Sequence, residues 1–114
     1  MIKILLSQNT NQLKDYFSKT KGTCKYWLPE TEKHPEEVIK WVDRNLREVY
    51  YYDTIVIATH SKTLVDYLGD LIEFRELSQY EVFLEVVKDK TVKQSWFDKQ
   101  GDLINWEIGF FSGR

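Results

Sequence analysis

Apolar positions recur along this chain with two different periods, and each period predicts an element. Residues 2-IKILL-6 read as a short buried strand, and 54-TIVIAT-59 is a continuous apolar run of the kind found in a central strand covered on both faces. Between them, Leu13 and Phe17 share one face of a helix over roughly 10 to 19, with Ser7 or Thr10 as its N-cap. The turn 20-TKGTC-24 ends that helix, and 25-KYWLP-29 is strand-like up to Pro29. Pro35 suits a first helical turn, after which Val38, Trp41, Val42 and Val49 recur at helical spacing. A third helix is expected from about Lys62 to Leu68, with Leu64, Val65 and Leu68 inward and Gly69 just past its end. Strands alternating with about three helices predict an α/β layer with parallel strands.

The last third changes character. The segments 71-LIEFREL-77, 81-EVFLEVVKD-89, 91-TVKQSWFD-98 and 103-LINW-106 read as strands. Turns fall at 88-KDK-90 and at 98-DKQGD-102, where Gly101 permits a positive φ. The expectation is a mixed sheet in one domain spanning 1–114, with an α/β part over 1–72 and an antiparallel β extension over 73–114. At 114 residues and 42% hydrophobic content the chain can bury one core but not two. Four Trp, seven Tyr and six Phe imply either a core of large side chains or rings on a surface that meets another protein. Tyr50, Tyr51, Tyr52, Trp96, Trp106, Phe110 and Phe111 are the candidates for such a surface. Exposed sheet edges also make a homo-oligomer a reasonable expectation.

Several function classes are disfavoured. Sixteen basic and eighteen acidic residues leave a net charge of -2 with no basic block, so autonomous nucleic-acid binding is not expected. One cysteine, Cys24, cannot form an internal disulfide or a zinc site alone. The apolar run Ile2 to Leu6 is too short for a signal peptide, and no run reaches membrane-spanning length, so a soluble, cytoplasmic protein is expected. Gly22, Gly69, Gly101, Gly109 and Gly113 are never spaced as a phosphate-binding loop. His34 and His60 belong to no zinc pattern, and Ser61 lacks the flanking glycines of a nucleophile elbow, so neither metal nor cofactor is expected. His60 does fall at the carboxyl edge of a predicted central strand, where open α/β sheets contact ligands. A small hydrolase would use His60 as base with Glu30 or Asp53 as its orienter, but no nucleophile or oxyanion cradle accompanies them.

The segments 27-WLPETEKHPEEVIKWVDRNL-46 and 55-IVIATHSKTLVDYLGDLI-72 resemble the C-terminal lobe of ABC-type ATPases of the recombination and chromosome-maintenance branch, including the overcoming-lysogenisation-defect kind. Pro29, Glu30, His34 and Pro35 fall on Pro, Glu, His and Pro of that family's D-loop region, and Thr59-His60-Ser61 on its switch-histidine motif. Upstream, 6-LSQNTNQLKDYF-17 is similar to the signature segment, with Ser7, Thr10, Gln12 and Leu13 matching. The stretch 98-DKQGDLINWEIGFF-111 is similar to a closing motif of some members. The departures are chemical. Trp27 and Leu28 stand where the family has the metal-linked Asp and the water-polarising Glu, Asn9 replaces the signature glycine, and the phosphate-binding loop has no counterpart. The resemblance therefore implies a catalytically degenerate half-domain, a protein-interaction module able to dock on or inhibit a complete ATPase head. In that reading Thr59, His60 and Ser61 are a vestigial switch, and Ser7, Asn9, Thr10, Glu30 and His34 a vestigial binding face. A phage or mobile-element origin would suit such a module. The other reading is a fold remnant in which the same residues only cap helices and close turns, with the interaction surface elsewhere.

Overall fold

The structure is a computed structural model, and it describes residues 1–46, 53–107 and 110–111. Its elements in chain order are β1 (Ile2–Leu6), α1 (Thr10–Lys19), β2 (Cys24–Trp27), α2 (Pro35–Asn45), β3 (Ile55–Ala58), α3 (Lys62–Glu73), a 3-10 turn (Gln79–Glu81), β4 (Val82–Lys88), β5 (Thr91–Phe97) and β6 (Leu103–Ile104). The six strands form one mixed sheet in the order β2-β3-β1-β4-β5-β6. The first four strands are parallel, and β5 and β6 are added antiparallel. The α/β architecture with a mixed sheet is thus as expected.

Chain direction decides which face each helix covers. The step from β1 to β2 moves one way across the sheet, while the steps from β2 to β3 and from β3 to β4 move the other way. Right-handed crossovers of opposite sense place their helices on opposite faces. Accordingly α2 and α3 share one face, where Val38, Val42, Leu64, Val65, Leu68 and Ile72 pack on Ile2, Ile4, Ile55, Ile57, Leu84 and Val86. On the other face α1 is the one helix among the described residues, with Leu13 over Leu5, Val56 and Ala58 and with Tyr16 and Phe17 at the margin. The two faces therefore carry two unequal cores.

Four local expectations change. The cap of α1 is Asn9, whose Oδ1 accepts the Gln12 backbone N–H at 3.0 Å, and not Ser7 or Thr10. Helix α3 does not stop at Gly69 but runs to Glu73, so 71–77 is a helix end and a turn rather than a strand. Gly69 serves packing instead. A Cβ there would lie 2.7 Å from the Gly101 carbonyl oxygen, and one on Gly101 2.0 Å from the Gly69 carbonyl oxygen, so the helix and the 98–102 turn meet backbone to backbone. Gly101 also has φ +80°, as its turn position requires. Strand β4, expected within the antiparallel extension, pairs parallel to β1, so antiparallel pairing begins only at β5. Of 103–106, only Leu103–Ile104 is strand. Val49 and Tyr50, Tyr51 and Tyr52 lie outside the described residues.

Candidate functional site

In an open α/β sheet the crevice forms at the carboxyl ends of neighbouring strands whose connections leave on opposite faces. Here those strands are β1, which feeds α1, and β3, which feeds α3. The crevice is thus framed by Ser7, Gln8 and Asn9 on one side and Thr59, His60 and Ser61 on the other. Glu30, just beyond the end of β2, reaches in from the third strand.

Glu30 is the tie. One carboxylate oxygen accepts the Thr59 hydroxyl at 2.7 Å and the other accepts the His60 backbone N–H at 2.9 Å. Thr59 is fully buried, and its Oγ1 in turn accepts the Ser61 backbone N–H at 3.0 Å. Ser61 then caps α3 by accepting the Leu64 N–H at 3.0 Å. On the β1 side, the buried Ser7 hydroxyl accepts the Asn9 N–H at 3.1 Å. The two sides touch where Thr10 Oγ1 lies 3.4 Å from His60 Nε2. Ser7, Asn9, Thr10, Glu30, Thr59, His60 and Ser61 are therefore gathered at one sheet edge. His34 is not: it sits exposed at the N-cap position of α2, where its backbone N–H donates to Glu37 Oε1 at 3.4 Å.

These bonds limit the chemistry. Both oxygens of Glu30 serve a buried hydroxyl and a backbone amide, and neither orients the His60 imidazole. Asp53 precedes β3 and so lies at the opposite end of that strand, roughly 20 Å away at the usual rise per residue. Cys24, at the start of the parallel strand β2, is likewise at the far end of the sheet from His60. At the acid positions implied by the resemblance, Trp27 packs on Phe17 with centroids 5.4 Å apart, and Leu28 leaves the strand at φ 43°. No cluster of three or more His, Cys, Asp or Glu with metal-binding geometry occurs among the described residues. No helix among them is long and apolar enough to cross a membrane.

Beside this edge lies a cavity of about 430 Å³ between the start of α1 and the end of β4, bordered by Ser7, Asn9, Gln12, Lys88 and Asp89. Gln12 and Asp89 join across it: the Asp89 N–H donates to Gln12 Oε1 at 3.2 Å, and Gln12 Nε2 reaches Asp89 Oδ1 at 3.5 Å. Asp89 had shown in the sequence only as part of a turn.

Of a second surface the sequence marks only Trp96. On the α1 side of the sheet Phe83 pairs with Trp96 and Trp96 with Ile104, and these side chains remain 40%, 42% and 37% exposed. Val92, two residues before Gln94 on the same face of β5, is exposed as well. The expected aromatic surface divides accordingly. Trp106, Phe110 and Phe111 pack on one another and on the α2/α3 core, whereas Trp96 stands on the opposite, uncovered face. The sequence marks 81-EVFLEVVKD-89 only as a strand; Phe83 is left bare because α1, the one helix among the described residues on its face, does not reach it. No protein-family model, curated protein or solved structure matches the chain.

Proposed function

We propose that this chain is a non-catalytic protein-interaction module, with the head of an ATPase of the recombination and chromosome-maintenance type as its partner. The observation that carries the interaction reading is the row Phe83, Trp96 and Ile104, three large apolar side chains in cross-strand register on the part of the α1 face that no helix among the described residues covers. Exposed apolar patches of this kind mark contact sites, and aromatic residues dominate binding energy at protein interfaces. The choice of an ATPase head rests on the resemblance. What supports it is that the segments carrying it, around Ser7 to Leu13, at Pro29-Glu30 and at Thr59 to Ser61, meet at one sheet edge through Glu30 and the Thr10–His60 contact. That the polar groups there are spent on caps and turns supports a binder over a hydrolase.

The test is co-purification of the chain with purified ATPase heads of this type, with ATP turnover measured alongside. Trp96→Ser and Phe83→Ser are expected to remove binding and any change in turnover, and Thr10→Lys probes the strand-end crevice separately. Absence of binding by the native chain sinks the partner. Binding lost only in Thr10→Lys moves the interface to the strand-end crevice.

A further inference from the structure

The parallel side of the sheet ends at β2, and this edge has a geometry of its own. Towards β3, the Cys24 N–H donates to the Thr54 carbonyl at 3.3 Å and the Leu28 N–H to the Ala58 carbonyl at 2.8 Å. Backbone groups alternate sides along a strand, so Tyr26 also faces β3, and the N–H and C=O of Lys25 and Trp27 point outward. A lysine on an edge strand normally deters pairing by projecting its charge. Lys25 does not project: its ammonium donates to the Phe17 carbonyl at 2.5 Å and lies 4.5 Å over the Phe17 ring. Trp27, stacked at a tilt against the same ring, stays 36% exposed, and on the other face Tyr26 meets Trp41 edge-on at 5.0 Å. Among the described residues, the edge is therefore open in its backbone and walled by aromatic pairs on both faces.

We infer that β2 is the site of a two-fold dimer in which β2 pairs antiparallel with β2 of a second copy, Tyr26 facing Tyr26 across the axis. Self-complementarity selects this occupant and this register. With Tyr26 on the axis, Lys25 of each copy lies directly opposite Trp27 of the other. The two outward-facing residues then exchange all of their N–H and C=O groups, and each ammonium sits beside an indole. Shifting the axis to Lys25 also satisfies the backbone but sets the two ammonium groups against each other, which disfavours it. A two-fold perpendicular to the sheet keeps each α1 on the same face, and α1 lies mainly over β3, β1 and β4, with only its Phe17 end reaching the face of β2, which leaves the edge approachable. The pairing joins the Tyr26–Trp41 pairs of both copies into one four-ring cluster. This surface is separate from the Phe83–Trp96–Ile104 row, so the dimer stands or falls independently of the proposed partner.

The register makes the test specific. Directly opposite residues at the axis have Cα atoms about 4.5 Å apart, within disulfide reach. The two native Cys24 residues would be about 13 Å apart, four residues of strand rise, and out of reach. In a Cys24→Ser background, Tyr26→Cys is expected to give a disulfide-linked dimer on mild oxidation, and Lys25→Cys and the native chain little or none. A variant-free measurement accompanies it, because Tyr26 also packs on Trp41: amide hydrogen exchange of the native chain across a concentration series. The Lys25 and Trp27 amides are expected to slow as concentration rises, while those of Cys24 and Tyr26 are slow throughout. The inference is overturned if the Lys25 and Trp27 amides exchange freely at every concentration, or if cross-linking peaks at position 25. A dimer seen by sedimentation that leaves these two amides unprotected overturns it too.

Discussion

The two faces of the sheet are made from the same strands but are stabilised in different ways. On the α2/α3 face, α3 alone buries Leu64, Val65, Leu68, Leu71 and Ile72, worth roughly 7 to 15 kcal/mol at the usual value per aliphatic side chain. On the other face α1 fully buries only Leu13, worth roughly 1.5 to 3 kcal/mol. What α1 lacks in burial is made up by directional contacts: the Asn9 cap, the Tyr16 hydroxyl donating to Glu85 at 3.1 Å, and the double link between Gln12 and Asp89. One face is held by packing and is closed. The other is held by a few polar ties and is open over the start of β4 and over β5 and β6. Crossover handedness produces this inequality, so an exposed apolar surface arises as a consequence of strand order, with no change in the composition of the strands themselves.

The sharpest test uses two neighbours in β4. Leu84 is fully buried on the closed face and Phe83 is exposed on the open one. Leu84→Ala is expected to cost about 2 to 5 kcal/mol, a fall in thermal midpoint on the order of 10 °C, whereas Phe83→Ala should cost less than about 1 kcal/mol. Comparable losses in urea titrations of the two variants would break the distinction between the faces. Next in size is Glu30→Ala at the crevice, which strips the buried Thr59 hydroxyl of its acceptor and should cost about 1 to 3 kcal/mol. Glu30→Gln keeps an amide oxygen as acceptor and should lose less. If the two Glu30 variants are equally stable, the carboxylate is not the tie that the geometry describes. Asn9→Ala removes the α1 cap and is expected to cost about 1 kcal/mol, read as a lower urea midpoint with an unchanged slope.

Much of the closed face was legible in the sequence because one physical signal dominates it. Continuous apolar runs and helical spacing located β1, β3 and the inner residues of α2 and α3, and Thr59, His60 and Ser61 fell at a strand end as the pattern required. The site was legible in part. That Glu30 and His60 stand at the ends of adjacent strands follows from the order of elements, but that Glu30 would bind the His60 backbone rather than its ring does not. Glycine misled at position 69, because a helix-ending residue and a residue admitting a neighbouring backbone look alike until Gly101 is in place. The 71–77 segment misled for a related reason: its apolar residues continue the inner face of α3, and Leu71 and Ile72 are buried as helix, not as strand. The open face was legible only at Trp96, named among the candidate surface rings; the exposure of Phe83 depends on how far α1 reaches across its side of the sheet, a property of topology and not of any local window.

The smallest expected effect is the most specific to the open face. The Tyr16 hydroxyl sits at the margin of α1, and its pKa is raised above the ordinary 10.0, first by burial and then by the nearby Glu85 carboxylate, to which it also donates a hydrogen bond. A phenol whose folded-state pKa is raised holds its proton in the native chain after the unfolded chain has begun to lose it. Its contribution to stability is therefore complete below about pH 10 and is lost as pH rises through the folded-state value. Ionised, the phenolate would also face the Glu85 carboxylate, already buried and held by Lys3 at 3.8 Å and Gln94 at 3.5 Å. Alkaline titration of stability should thus show a decline above pH 10 that is shallower in Tyr16→Phe than in the native chain. The difference between the two curves reports the Tyr16–Glu85 tie. The decline should be accompanied by loosening of α1, seen as faster amide exchange at Leu13 and Phe17, while Leu64 and Leu68 in α3 keep their protection. Uniform loss of protection on both faces would mean that the two cores melt as one unit, and that the polar ties under α1 do not set the stability of the open side.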